Sequence, residues 1–192
     1  MAFKKATGFR EKKVKAPLDV SGLMEFAVRS LSSRMKSVRD LRRKMRERAE
    51  PGEDGEAAVE AVILKLKELG YLSDERFAAD YARLRQENEK YGRRRVQQGL
   101  MQKGIAAPLV NETVGKAYDE VDEVALARAY VARKRMKQPE GDREKKQKET
   151  AKAMRRLVAA GFSTKTIWTV LREWGAEVEE VDLEEQGIED RG

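Results

Sequence analysis

Apolar residues recur along this chain at three- and four-residue spacing. Val20, Leu23, Met24, Ala27, Val28 and Leu31 fall on one stripe of a helix that begins near Asp19. Ser37 followed by Asp40 has the outline of a capping box, with Asp where Glu or Gln is usual, and Val38, Leu41 and Met45 then form a second stripe. The segment AEPGEDGEA interrupts it at Pro51. A third stripe, Val59, Val62, Ile63, Leu66 and Leu69, stops at Gly70.

The stops repeat. Leu66-x-x-x-Gly70-Tyr71, Leu100-x-x-x-Gly104-Ile105 and Leu157-x-x-x-Gly161-Phe162 share one pattern. In each, glycine can take the left-handed conformation that closes a last helical turn, and the apolar residue after it can fold back onto the leucine. Val110 and Val114 precede Ile167 and Leu171 by 57 positions, the offset that also separates Gly104 from Gly161. Phe77, Tyr81 and Leu84 lead one such helix pair, and Leu126, Ala129 and Tyr130 lead another. Ser73 and Ser163 suit N-caps, Pro108 suits a first helical turn, and Gln138 to Asp142 reads as a break. The pattern predicts three units of three helices, at 19–73, 74–121 and 122–175. A flexible basic segment, 1–18, and an acidic disordered tail, 176–192, would flank them.

Composition supports an all-α fold, because long straight side chains dominate a chain that is 39% charged and has only four prolines. With no cysteine and no histidine, the commonest nucleophile-and-base pairs and most zinc sites are excluded. No GxxxxGK[ST], GxGxxG, GxSxG or HExxH occurs either. An enzyme is therefore not expected, nor is a cofactor or a metal. No apolar run approaches the roughly 20 residues that cross a bilayer, so a cytoplasmic protein without a membrane partner is expected. The net charge of +7 is uneven: residues 176–192 carry eight acids against Arg191, which leaves +14 on residues 1–175. So basic a body suits a polyanionic partner.

Arg34, Lys36, Arg39, Arg42, Arg43, Lys44, Arg46 and Arg48 crowd one segment, and Arg133, Lys134, Arg135 and Lys137 another. Each run can face phosphates or form a solvated helix face. Aromatic residues are few and mostly on apolar stripes, so Tyr71, Phe77, Tyr81, Tyr130, Trp168 and Trp174 read as core rather than as base-stacking groups. The stretch YGRRRVQQGL differs, because Arg93, Arg94 and Arg95 open a helix where cations oppose the macrodipole by about 0.3–1 kcal/mol each. Together with the N–H groups of that first turn they would concentrate an anion site. Alternatively, Glu87 and Glu89 neutralise them from just upstream, with Arg95 tied to one of the two.

Residues 70–105, GYLSDERFAADYARLRQENEKYGRRRVQQGLMQKGI, resemble the RecX family of bacterial regulatory proteins that bind the RecA recombinase. The resemblance rests on Gly70, Tyr71, Leu72, Asp74, Arg76, Phe77, Ala78, Tyr81, Gly92, Arg95, Leu100, Lys103, Gly104 and Ile105. It extends through AVRSLSSRMKSVRDLRRKM at Ala27, Leu31, Arg34, Ser37, Asp40, Leu41, Lys44 and Met45, and so spans about 20 to 105. Two positions depart from the family pattern: Arg93 stands where proline is frequent, and Gly99 where glutamate is frequent. Gly99 should weaken its helix by roughly 1 kcal/mol relative to alanine. The resemblance implies an elongated, modular protein of tandem three-helix repeats, acting as a monomer. It would lodge in the groove of a RecA–single-stranded DNA filament and inhibit filament extension, ATP hydrolysis, strand exchange and coprotease activity. Arg42, Arg43, Arg46, Arg83, Arg85, Arg93, Arg94 and Arg95 are the expected contacts. A nucleic-acid binder acting alone, and a helical scaffold for another acidic protein, are the other readings this charge permits.

Overall fold

The computed structural model describes residues 16–175. They form nine α-helices: α1 (Val20–Ser33), α2 (Val38–Arg46), α3 (Glu53–Glu68), α4 (Asp74–Glu89), α5 (Arg93–Gln102), α6 (Ala107–Tyr118), α7 (Glu123–Arg133), α8 (Arg143–Ala159) and α9 (Thr164–Glu173). The only extended pairing among the described residues is an isolated parallel bridge of Leu18 with Ala49. There the Leu18 N–H donates to the Arg48 carbonyl at 2.7 Å, so Leu18 is pinned rather than part of a flexible arm. The remaining expectations for the arm and for the acidic tail lie outside the described residues.

Three apolar clusters organise these helices, one for each consecutive group of three. The first gathers Leu23, Leu41, Met45, Val59 and Leu66, the second Phe77, Val96, Leu100, Val110 and Val114, and the third Tyr130, Leu157, Phe162, Ile167 and Leu171. The fold is therefore all-α and built from tandem three-helix groups. By compactness the chain divides in two: the first group ends at Asp74, while the second and third groups share the unit that begins at Glu75. Tyr91 and Leu126 pack against both clusters of that second unit.

Local chemistry explains where helices begin. Asp19 accepts from the Gly22 N–H at 2.8 Å, Ser37 from Asp40 at 3.2 Å, Asp122 from Val124 and Ala125 at 2.9 and 3.0 Å, and Asp142 from Lys145 at 2.8 Å. Each satisfies a donor that the first turn leaves orphaned, a contribution of about 1 kcal/mol. The three repeated stops are Schellman motifs. The N–H groups of Tyr71, Ile105 and Phe162 donate to the carbonyls of Leu66, Leu100 and Leu157 at 2.9, 3.2 and 3.3 Å, while Gly70, Gly104 and Gly161 have φ of 71°, 77° and 89°. Those three leucines are fully buried, and each contributes about 1.5–3 kcal/mol through that burial.

The first stop differs from the other two in its side chains. Ile105 and Phe162 fold inward as expected, whereas Tyr71 is 65% exposed and Leu72 enters the core in its place. Leu69, Val20, Val28 and Leu84 also lie on apolar stripes yet are exposed, because each three-helix group is too small to cover a wide stripe. Helices α4 and α7 end without glycine: Lys90 and Arg135 hold φ of 56° and 48° so that Tyr91 and Met136 can donate to the carbonyls of Arg85 and Val131. A left-handed residue with a Cβ costs roughly 1–2 kcal/mol.

The second and third groups are joined end to end. The Gly92 N–H donates to the Ala160 carbonyl at 2.8 Å, and the Arg94 N–H to the Gly161 carbonyl at 3.2 Å. The positive end of α5 thus meets the negative end of α8. Such an approach requires two bare α-carbons: a Cβ on Gly92 would lie 2.4 Å from the Gly161 oxygen, and one on Gly161 would lie 2.2 Å from the Arg95 nitrogen. Gly99 has a packing reason too, since a Cβ there would meet the Tyr81 hydroxyl at 2.3 Å. Its cost in helix propensity is the condition for seating Tyr81 beside α5.

Both tryptophans, Trp168 and Trp174, pack on the third cluster, so their fluorescence reports the unfolding of the second unit. In urea titrations followed this way, Gly92→Ala should destabilise that unit by about 2–3 kcal/mol through overpacking. Gly175→Ala, with φ of 69° but nothing within 4 Å, should cost only the ~1–2 kcal/mol of a left-handed backbone. In the opposite direction, Lys90→Gly and Arg135→Gly should each raise stability by about 0.5–1 kcal/mol, measured as a higher urea midpoint.

Candidate nucleoprotein-binding surface

The eight expected contact residues meet different fates. In the first unit, Arg42 grips Glu60 with a fork, Nε to Oε1 at 2.5 Å and Nη2 to Oε2 at 2.9 Å, and Arg46 brings Nε and Nη2 onto Glu56 at 2.9 and 2.7 Å. Arg43 lies 3.5 Å from Asp40. The hydrogen bond from Arg42 holds the Glu60 carboxyl below its ordinary value, and the same bond raises the Arg42 guanidinium. These forks tie α2 to α3, and each contributes at most about 1 kcal/mol at such exposure. They line a groove of about 540 Å³ with Arg39 and Asp40, which mixes both signs of charge. Lys36 is buried: its Nζ donates to the carbonyls of Ser30 and Arg34 and closes the end of α1, so it faces no phosphate.

In the second unit, Arg83 pairs with Asp80 at 3.1 Å and Glu87 at 3.2 Å, and Arg85 lies 5.1 Å above the Tyr81 ring. Glu87 and Glu89 do not neutralise the arginine triplet. Glu87 is taken by Arg83, and Glu89 by Arg133 and Lys134 at 3.3 and 3.4 Å. Arg95 instead lies 5.8 Å from the centre of the Tyr91 ring and reaches Gln98 at 3.4 Å. Glu87 is held within α4 itself, and Glu89 is diverted because α7, distant in sequence, brings its own cations to the end of α4.

The anion site expected at the start of α5 is reduced, because the carbonyls of Ala160 and Gly161 at the end of α8 accept from two of its N–H groups, those of Gly92 and Arg94. This packing accounts for the arginines. Arg94 and Arg95 line the groove at the negative end of α8 and complement its dipole, which offsets their conflict with the dipole of α5. Among the described residues the side chains of Arg93 and Arg94 make no hydrogen bond or ion pair, and both are exposed. Arg94 and Arg95 line a shallow groove of about 480 Å³ with Gln98, Val158, Ala159 and Gly161.

Near Arg94 sits a half-buried polar clamp. Glu123, in the first turn of α7, accepts from the Ser163 N–H at 2.9 Å, the Ser163 hydroxyl at 2.5 Å and the Thr166 hydroxyl at 2.5 Å. Burial pushes its carboxyl up, but those bonds and the nearby Arg94 guanidinium outweigh burial and hold it below 4.5. A basic run on α8, REKKQKETAKAMRR, is a further candidate, and its signal in the sequence is seven cations within 14 positions. Only Lys148 of that run has a carboxylate partner among the described residues, Glu144 at 2.6 Å.

What these features define is a repeat protein of three-helix groups whose chemistry lies in exposed cations. A model of the second three-helix domain of RecX matches residues 73–114. The regulatory protein RecX of Deinococcus radiodurans is 31% identical over 151 residues, covering 79% of this chain and 67% of that protein. That of Leptothrix cholodnii is 33% identical over 147 residues, covering 76% and 85%. The crystal structure of RecX from Lactobacillus salivarius shares the fold, with a TM-score of 0.59 and 23% identity over 82% of this chain and 97% of that one. The chain belongs to the RecX family of regulatory proteins. No helix among the described residues is long and apolar enough to cross a membrane.

A carboxyl held low in the folded state adds stability above its unfolded value near 4.5, and that stability is lost as pH falls through the lower folded value. Glu123→Gln should therefore lower the melting temperature at pH 7. The gap to the parent should close as the pH falls below 4.5 and through the lower folded value, as followed by tryptophan fluorescence.

Proposed function

We propose that this chain binds the filament that RecA recombinase forms on single-stranded DNA and restrains its extension, and with it ATP hydrolysis, strand exchange and coprotease activity. Membership of the RecX family carries this reading, with residues 73–114 matching the family's second three-helix domain. The distribution of charge is suited to it. A nucleoprotein filament is a dense polyanion, and it attracts cations that are exposed and not already neutralised. Arg93 meets that requirement and Arg94, with only the nearby Glu123 carboxylate and no ion pair, meets it in part, whereas Arg42, Arg46 and Arg83 are engaged with Glu60, Glu56, Asp80 and Glu87. The chain acts by binding, as a monomer, and the nucleotide belongs to the recombinase.

The test is DNA-dependent ATP hydrolysis by RecA on single-stranded DNA. The protein should lower it at substoichiometric ratios, and unchanged hydrolysis at saturating protein would sink the reading. Arg93→Ala combined with Arg94→Ala should raise the concentration needed for half inhibition several-fold while changing the melting temperature little, because neither side chain makes a hydrogen bond or ion pair and only the attraction of Arg94 to Glu123 is lost.

A further inference from the structure

The second unit carries a polybasic face on α8, outside the proposed contact arginines but leading to two of them. Along α8, Lys145, Lys148, Lys152, Arg155 and Arg156 recur at three- and four-residue spacing, so they stand one above another about 5.4 Å apart, turned away from the buried Ala153 and Leu157. All five are exposed, and only Lys148 has a carboxylate partner among the described residues. Arg143, Lys145 and Lys146 add three cations to the first turn, where each opposes the helix dipole by about 0.3–1 kcal/mol. Asp142 and Glu144 offset part of that cost. An isolated helix is not stabilised by such a surplus. The track does not end with α8: its last turn supplies Val158 and Ala159 to the groove that Arg94, Arg95 and Gln98 line from α5. The helix-end joint thus continues a row of cations from one helix onto the next.

We propose that this track, from Lys145 along α8 to Arg94 and Arg95, is a binding surface for the phosphate backbone of single-stranded DNA. The chemistry favours a phosphodiester strand, because the cations are spaced along a line about 16 Å long between Lys145 and Arg156. No aromatic residue lies on α8, so bases have no stacking platform there and the contact is independent of sequence. The choice of single-stranded over duplex DNA rests on the filament reading above. It also assigns a division of labour: cations bound to Glu56 and Glu60 stabilise the first unit, and the unpaired cations of α8 meet the nucleic acid.

The test uses the full chain and a fluorescein-labelled oligothymidine, without recombinase, by anisotropy across a range of salt concentrations. One variant combines Lys145→Gln, Lys152→Gln, Arg155→Gln and Arg156→Gln. A charge-matched control combines Arg29→Gln, Arg34→Gln, Lys65→Gln and Lys67→Gln, all exposed in the first unit. The track variant should weaken binding at least about tenfold near 0.1 M salt and flatten the slope of log K against log salt by about 2–3, while the control keeps the parent slope. Absence of binding by the parent, equal losses in both variants, or the parent slope in the track variant would each overturn the proposal. So would a track variant that binds DNA normally but no longer inhibits the recombinase, since the stripe would then face protein. Should the track variant fail to fold, a photo-crosslinker at Lys152 should capture the oligonucleotide and one at Lys65 should not; the reverse overturns the proposal. Track-dependent DNA binding by a protein that leaves RecA hydrolysis unchanged would refute the filament reading alone.

Discussion

The second unit depends on one joint, where two helix ends of opposite polarity share hydrogen bonds. Helix N-termini leave N–H groups unsatisfied and helix C-termini leave carbonyls unsatisfied, and both are costly to bury alone. Docking the start of α5 on the end of α8 pairs two of those donors with two of those acceptors, through Gly92 with Ala160 and Arg94 with Gly161. Two glycines make it possible, because every other residue would place a Cβ where the opposing backbone lies. The joint sets the surroundings of the arginine triplet, the groove beside it, and the meeting of α8's cations with those of α5.

Charge in this protein is sorted by partner. Arg42, Arg46, Arg83 and Arg128 each bond a carboxylate on a neighbouring turn or helix, and such pairs hold helices in register for modest energy. Glu123 performs a comparable task with hydroxyls, tying the starts of α7 and α9 together. Several of the cations left without carboxylate ion pairs stand at the opening of α5 and along α8. A positive surface of that kind adds little to folding, and its effect falls on association with anions.

Much of the helix pattern was legible because its causes are local. The caps at Asp19, Ser37 and Ser163 and the closures at Gly70, Gly104 and Gly161 arise from hydrogen bonds that span a few residues, so spacing reveals them. The left-handed Lys90 and Arg135 escaped notice, because nothing about a lysine or arginine marks it for that conformation. Tyr71 was misplaced for another reason. The backbone motif that receives it is local, whereas the burial of its ring depends on which helix lies opposite, and Leu72 takes that place.

For the site, residue type was legible and engagement was not. Which arginines belong to this surface cannot be read from a run of charges, since the partner of Arg42 is 18 residues away and that of Glu89 is 44. The sequence by itself determined the all-α character, the repeated three-helix plan and the family, because periodicity, capping and motif spacing are properties of short segments. Only the tertiary structure decided which cations are neutralised and which remain open, and that α5 begins on the end of α8. Those outcomes depend on contacts between segments far apart in the chain, whose positions are set by packing rather than by any local rule.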